Sequence, residues 1–168
     1  MENLRKTFLR WCTLKSRFFR YWEKNILLKK LSVDEGKHII IHDLRGVCSH
    51  IGHCILMLPE VFRKGRVPWA DPDVADPEEI AKVIRTCPSG ALSYTLKDEF
   101  CRDYPHETEI FMVKNGPYHV IGGIKLEDPE GIKPVTEDHY SLCRCGKSGK
   151  KPLCDGTHRD TGFKDRIN

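Results

Sequence analysis

Three cysteines and two histidines lie close together in residues 139–158, HYSLCRCGKSGKKPLCDGTH. Cys143 and Cys145 are two positions apart, and Cys154 precedes His158 by four. Three thiols so close in sequence, and odd in number, do not suit a simple disulfide framework. Thiolates and imidazoles are common metal ligands, so this segment predicts a metal site.

A second group of cysteines precedes the first along the chain. Bacterial ferredoxins hold a cluster with C-x2-C-x2-C and a remote Cys-Pro, and here Cys48, Cys54 and Cys87 occupy that frame while Ile51 replaces the middle cysteine. Three thiolates suffice for a [3Fe-4S] cluster. A [4Fe-4S] cluster would need a fourth ligand, from solvent or from one of His50, His53 and Cys101.

Composition limits the class of protein that carries these cysteines. The chain has 168 residues, of which 31% are charged and 39% apolar, as expected of one or two small globular domains. No run approaches the 18 apolar residues of a membrane span, and no secretory signal is recognisable. We therefore expect a cytoplasmic protein, where clustered cysteines usually bind metal or take part in redox chemistry.

The first segment of the chain is strongly basic. Residues 1–31 carry nine Lys or Arg against two Glu, while the whole chain has a net charge of +4. Apolar residues recur at helical spacing, namely Leu4, Phe8, Trp11, Phe18, Trp22 and Ile26. This pattern predicts a basic amphipathic helix within residues 1–36 that packs on its own protein, with an anionic membrane surface or an acidic redox partner as alternatives. Nucleic acid is not expected, because no reader motif accompanies the charge.

The elements that must position the cysteines predict an α+β protein. In residues 37–96, a strand at KHIIIHD leads into a cysteine loop and a short helix ending near Pro59, and DPEEIAKVIRT is a helix capped by Asp76. Cys87 then precedes a glycine turn and a strand. Residues 97–109 are expected to be a linker, and residues 110–168 a small β-rich domain with a turn at Asn115.

Residues 37–96 resemble the divergent single-cluster ferredoxin-like family. The C-x5-C loop, LPEVF, PW and CPSGAL of that family stand at Cys48–Cys54, 58–62, 68–69 and 87–92. The resemblance implies an iron–sulfur electron carrier. The alternative is that three buried free cysteines occupy an unrelated α+β domain.

Residues 110–168 resemble the CDGSH iron–sulfur domains, or NEET proteins. The pattern C-x-C-x2-S-x3-P-x-C-D-G-T-H includes Ser148 and Pro152, with Thr157 in place of the usual serine. The resemblance implies a [2Fe-2S] cluster held by Cys143, Cys145, Cys154 and His158. Zinc is the alternative metal, because it also accepts three thiolates and an imidazole.

The ligand types bear on the properties of such a cluster. Cys143 and Cys145 can chelate one iron from a loop, and Cys154 and His158 would face the same way if DGTH opens a helix capped by Asp155. Replacing a thiolate with an imidazole should raise the potential. Arg144 and its basic neighbours should act in the same direction, and protonation of His158 should make the cluster labile in acid.

We expect a two-cluster electron-transfer protein rather than an enzyme, because the sequence shows no nucleophile–base constellation, phosphate loop or dinucleotide fingerprint. A donor of clusters, or a redox or pH sensor that uses the labile cluster, is the alternative. NEET proteins combine two CDGSH motifs, in one chain or in two, so a single motif predicts a homodimer. The competing arrangement is that the ferredoxin-like domain or the N-terminal helix covers the same surface.

Overall fold

The computed structural model describes residues 31–102 and 106–166, which form two antiparallel sheets. The helix predicted at 1–36 lies outside the described residues as far as residue 30. Its last part is described, and there the prediction was wrong: Leu31–Glu35 is a strand, β1, whose partners are contributed by the next segment.

The first sheet has the strand order β1-β2-β3-β4. Strand β2 is Ile39–Leu44, β3 is Leu92–Leu96 and β4 is Glu99–Cys101. Strand β2 pairs with β1 on one side and β3 on the other, and its side chains are largely buried. Strand β4 corrects the predicted linker at 97–109, because a tight turn at Lys97 and Asp98, both with positive φ, folds the chain back onto β3.

Two helices belong to this region: the longer one packs on the sheet, and the shorter one contacts the longer. Helix α1 is His53–Met57, ending before Pro59 as predicted, and helix α2 is Pro77–Arg85. The predicted cap of α2 is confirmed, because the Asp76 carboxylate accepts the backbone N–H groups of Glu78 at 2.9 Å and Glu79 at 3.3 Å. The apolar face of α2 packs on the sheet and forms a core with Ile39, Ile41, Val61, Phe62, Ile80, Ile84, Leu92 and Tyr94. The core holds the segments that carry Cys48, Cys54 and Cys87 at one end of the sheet.

The second sheet has the order β5-β6-β7. Its strands are Glu109–Met112, Tyr118–Ile121 and Tyr140–Leu142, and the predicted turn at Asn115 joins the first two. Val120, Tyr140 and Leu153 form its small core. A short helix, α3 at Thr157–Asp160, follows the last cysteine. The predicted α+β class is consistent with these elements.

The two sheets are joined by direct contacts. The Ser141 hydroxyl lies 3.3 Å from the Pro88 carbonyl oxygen, and the Arg159 guanidinium donates to the His50 carbonyl at 2.7 Å. The Lys150 ammonium donates to the carbonyl of Gly46. These contacts join the segments around Cys48 and Cys87 to those around Cys154 and His158. Among the described residues, no helix is long and apolar enough to cross a membrane.

Candidate metal centres

The first candidate centre is a cleft lined by Cys48, Cys54 and Cys87. Cys48 ends the 3₁₀ turn Arg45–Val47, Cys54 lies in the first turn of α1, and Cys87 follows α2. Including its solvent mouth, the cleft has a volume of about 380 Å³. Three thiols from separate segments therefore meet at one space.

The thiols of this cleft are close enough for their charges to interact. Burial raises the pKa of Cys48 to about 12 and that of Cys54 to about 11, and in both cases the neighbouring Cys87 thiol is the next largest cause. Converging thiolates repel one another unless a cation neutralises them, and an iron–sulfur core supplies that positive charge. The donor set fits a cluster with at least three thiolate ligands.

The structure separates the proposed sources of a fourth ligand. His50, Ile51 and His53 line the cleft, but Cys101 does not. Cys101 lies opposite Tyr94 in the β3–β4 pair, and its thiol lies beside the Tyr94 hydroxyl. The position of Cys101 in β4 therefore rules it out as a ligand to this centre in the described arrangement, while Ile51 leaves an apolar side chain where ferredoxins have their middle cysteine.

Arg45 is the cation at the mouth of the first cleft. Its guanidinium lies 4.0 Å from the centre of the Trp69 ring and forms a 2.7 Å ion pair with Asp43. Burial raises the pKa of Asp43 to about 6, while Arg45 acts in the opposite direction. Asp43 in its ionised form offsets part of the positive charge that Arg45 places beside the thiols.

The second candidate centre is built on an antiparallel bridge between Leu142 and Leu153. The Cys143 N–H donates to the Pro152 carbonyl and the Cys154 N–H to the Ser141 carbonyl, both at 2.8 Å. This bridge brings the two halves of the motif together, although Cys143 and Cys154 are eleven positions apart in sequence.

The four predicted ligands of the second centre form two close pairs. The sulfurs of Cys143 and Cys145 are 3.8 Å apart. The Cys154 sulfur lies 3.5 Å from His158 Nδ1, so these two side chains do face the same way. The predicted cap was wrong, because α3 begins at Thr157 and its N-cap is Gly156 rather than Asp155. The arrangement can offer two thiolates from one side and a thiolate with an imidazole nitrogen from the other.

The remaining motif residues hold the loop in place. The Ser148 hydroxyl donates to the Leu153 carbonyl at 2.7 Å, and the Asp155 carboxylate accepts the N–H of Gly149 at 2.9 Å. Asp155 also accepts the Thr157 N–H at 3.1 Å and its hydroxyl at 2.7 Å. Threonine thus makes, through its hydroxyl, a contact that the family's usual serine could equally make.

The protonation preferences at the second centre differ from ligand to ligand. Burial raises the pKa of Cys154 to about 11. The Gly156 N–H, which donates to the Cys154 sulfur at 3.4 Å, acts in the opposite direction. Burial disfavours the Cys143 thiolate, but backbone N–H groups, that of Ser148 first, lower the pKa of that thiol overall. Burial, with Arg159 next, lowers the pKa of His158, which keeps the imidazole neutral and able to bind a metal.

Arg144, whose charge is expected to raise the cluster potential, is held by several contacts. Its guanidinium is paired with the Asp165 carboxylate and also donates to the carbonyl oxygens of Gly116 and Val113. The carboxylate offsets part of the positive charge, and the contacts together fix the ligand loop. Asp165 was not anticipated because it lies 21 residues further along the chain.

A third group of metal-competent side chains was not found from the sequence. Within the described residues, His106, Asp138 and His139 bring their ligand atoms within 4.8 Å of one another. The Asp138 carboxylate contacts His106 Nδ1 at 2.7 Å and His139 Nδ1 at 3.3 Å. The three side chains therefore lie together because the Asp138 carboxylate contacts both imidazoles. Only the adjacent Asp138-His139 pair was visible in sequence.

Comparison with known proteins agrees with the two centres. Residues 35–97 match the family described as a divergent 4Fe-4S mono-cluster, and residues 115–159 match the iron-binding zinc finger of CDGSH type. The chain is 40% identical over 62 residues to the uncharacterized protein YjdI of Escherichia coli K12, and equally to YjdI of Escherichia coli O157:H7. That alignment spans 37% of this chain and 82% of each relative. No solved structure matches.

Proposed function

The chain belongs to the divergent 4Fe-4S mono-cluster family and ends in an iron-binding CDGSH-type domain, and on that basis we propose that it is an electron-transfer protein with two iron–sulfur clusters. The observation that carries the proposal is that one chain, whose two sheets are in contact, holds two separate sets of thiols: one lines a cleft, and the other is gathered on the Leu142–Leu153 bridge. Bound clusters of these kinds supply reversible one-electron chemistry.

The residues that would hold each cluster follow from the two candidate centres. Cys143, Cys145, Cys154 and His158 are the ligands we propose for a [2Fe-2S] cluster. Cys48, Cys54 and Cys87 are those we propose for a [3Fe-4S] or [4Fe-4S] cluster. Backbone N–H groups donate to the sulfurs of Cys48, Cys145 and Cys154, each at 3.4 Å, and such hydrogen bonds stabilise the more negative, reduced form of a centre.

A carrier role is preferred to catalysis because the side chains gathered at both candidate centres are thiols and an imidazole, which are metal ligands. The sequence also lacks a phosphate loop or dinucleotide fingerprint. A carrier needs ligands that stay fixed while charge changes, and the ligand loop of the second centre is fixed by Ser148, Asp155 and Arg144.

A second function, donation of a cluster or sensing, is favoured by one observation. Cys145 is only partly buried, and the loop residues Gly146 and Lys147 after it are exposed. An acceptor protein could therefore approach this side of the second centre, whereas Cys154 and His158 are buried.

A stepwise reduction with dithionite, followed by absorbance and electron paramagnetic resonance (EPR), tests the proposal on anaerobically purified protein. We expect both centres to be reduced and reoxidised repeatedly without loss of iron. In parallel, the protein is incubated with an apo-ferredoxin acceptor. Transfer of [2Fe-2S] to that acceptor, faster than the redox cycle, would favour donation over electron transfer.

A further inference from the structure

His50 lies between the two candidate centres. Its backbone N–H donates to the Cys48 sulfur at 3.4 Å. Its backbone has φ of +56°, a left-handed conformation that costs energy for a residue other than glycine. Such strain is retained when surrounding contacts over-determine it, and it is common where a side chain must be directed to a particular place.

The imidazole of His50 is directed at the second centre. It packs so closely on Gly156 that a methyl group on this glycine would lie 2.8 Å from both His50 Cγ and His50 Cδ2. The N–H of Gly156 in turn donates to the Cys154 sulfur at 3.4 Å. The backbone of His50 thus contacts a candidate ligand sulfur of the first centre. Its ring contacts Gly156, whose N–H contacts a candidate ligand sulfur of the second centre.

Two further contacts fix this arrangement. Arg159, adjacent to His158, donates to the His50 carbonyl at 2.7 Å. On the other side, the Ser141 hydroxyl lies 3.3 Å from the carbonyl oxygen of Pro88, the residue after Cys87, and the Ser141 carbonyl accepts the Cys154 N–H at 2.8 Å. Each candidate centre is therefore joined to the other at two points, by residues on either side of their ligands.

We infer that His50, packed on Gly156, couples the two centres, so that an electron passes between them within one chain. This inference rests on the proposed function. The transfer needs no other reactant: the first centre, which contains Cys48, loses one electron, and the second centre, which contains Cys154, gains it. No bond is made or broken. A histidine ligand raises the potential of a [2Fe-2S] centre above that of an all-cysteine one, and on this ground we take the second centre as the acceptor. His50 acts here as a positioning residue for the electron path.

Three variants of the cluster-loaded full chain test this role. His50→Asn removes the ring but keeps the N–H to Cys48, and asparagine tolerates left-handed backbone. His50→Gly does the same without a side chain. Gly156→Ala displaces the ring. Gly162→Ala is the matched control, because Gly162 also has positive φ, of 63°, but its added methyl group would meet nothing within 4 Å.

Two readouts are used besides any assay of activity. EPR of the fully reduced protein reports spin–spin interaction between the centres, and rapid mixing with substoichiometric dithionite reports the rate at which the electron redistributes. In the unmodified protein and in Gly162→Ala we expect interacting spectra and a redistribution rate independent of protein concentration. His50→Asn and His50→Gly should keep their iron and lose most of that rate, and Gly156→Ala should weaken the spin–spin interaction as well.

The inference is overturned if both centres are reduced reversibly but their spectra simply add, or if both His50 variants redistribute the electron as fast as the unmodified protein. Loss of iron from the first centre in both His50 variants would identify His50 as a ligand and also overturn it. Failure of the proposed function is distinct from these outcomes, because then a centre of the unmodified protein would be absent or not reversibly reducible.

Discussion

The guanidinium of Arg144 is paired with the carboxylate of Asp165, which ties the loop between Cys143 and Cys145 to the C-terminal segment. Asp165 is itself held by Asn115, since each residue's backbone N–H donates to the other's side chain at 2.8 Å. Arg144 Nε also donates to the Gly116 carbonyl at 2.8 Å. The Arg144 side chain therefore joins the predicted ligand loop, the β5–β6 turn and the segment around Asp165.

The first prediction concerns this linkage. Arg144→Ala removes several charge-assisted hydrogen bonds from a partly buried group and should lower the free energy of unfolding by about 2–3 kcal/mol. Arg144→Lys retains the charge but lacks the planar fork, so it should restore only part of the loss. Urea denaturation measures both. Equal stability of the alanine variant and the unmodified protein would contradict the structural role.

The second prediction concerns Gly90, which lies directly against Thr136. Gly90 has φ of +65°, and an added methyl group would lie 2.0 Å from Thr136 Cγ2, a buried side chain. Gly90→Ala should therefore cost about 2–4 kcal/mol of stability, from backbone strain and overpacking together. Gly123→Ala shares the positive φ but meets nothing within 4 Å, so it should cost only about 1 kcal/mol.

Rescue distinguishes the clash at Gly90 from general strain. Thr136→Ser deletes the clashing methyl group and keeps the hydroxyl that accepts the His139 N–H at 2.9 Å. The double variant, Gly90→Ala with Thr136→Ser, should regain part of the lost stability in thermal unfolding. If the two changes are simply additive, Thr136 is not the obstacle.

The third prediction is a pH dependence of stability. Burial, with Arg102 as the second cause, lowers the pKa of His42 from 6.5 to about 4. The unfolded chain binds a proton at His42 below about pH 6.5 while the folded chain does not, so stability is lost as the pH falls from 6.5 toward 4. Between pH 7 and pH 5 this single residue should account for about 2 kcal/mol.

His42→Gln tests that dependence. The amide can keep the contact to the Thr95 hydroxyl, which His42 Nε2 makes at 2.9 Å, but it cannot be protonated. The loss of unfolding free energy between pH 7 and pH 5 should be smaller in this variant than in the unmodified protein. His38→Gln, at an exposed histidine, is the control and should keep the full loss. Identical pH profiles for His42→Gln and the unmodified protein would refute the assignment.

The fourth prediction concerns His158 as a ligand. His158→Cys replaces a neutral imidazole with a thiolate, and the added negative charge should lower the midpoint potential of the second centre by on the order of 100 mV. Spectropotentiometry measures the change, with His38→Gln expected to leave the potential unchanged. An unaltered potential in His158→Cys would mean that another group completes the second centre.

Local patterns in the sequence predicted much of what positions the candidate ligands. Helix α2 was recoverable because Asp76, Pro77 and the apolar face of the helix all lie within a dozen residues. Strand β1 was assigned to the basic helix because it is only five residues long and directly follows the basic segment, and its pairing with β2 decides the conformation. Strand β4 was missed for a similar reason: two consecutive left-handed residues make the turn, and neither is glycine.

Long-range contacts were beyond a reading of local pattern. The spacing of Cys143, Cys145, Cys154 and His158 indicated a metal site because ligands of one centre are close in sequence. The contact of Arg159 with the His50 carbonyl joins residues 109 positions apart, and neither residue type announces such a partner. The sequence therefore predicted two candidate centres but not their proximity, which depends on how two sheets pack.

Metal analysis of anaerobically purified protein tests the central claim of two iron–sulfur clusters most directly. The chain should contain about five or six irons, with a matching amount of acid-labile sulfide, as expected of a two-iron and a three- or four-iron centre. Cys154→Ala should lose about two irons, and Cys87→Ala should lose about three or four. Cys101 lies outside both candidate centres, so Cys101→Ala should lose none. Stoichiometric zinc in place of iron, or iron loss in Cys101→Ala equal to that in Cys87→Ala, would contradict the account.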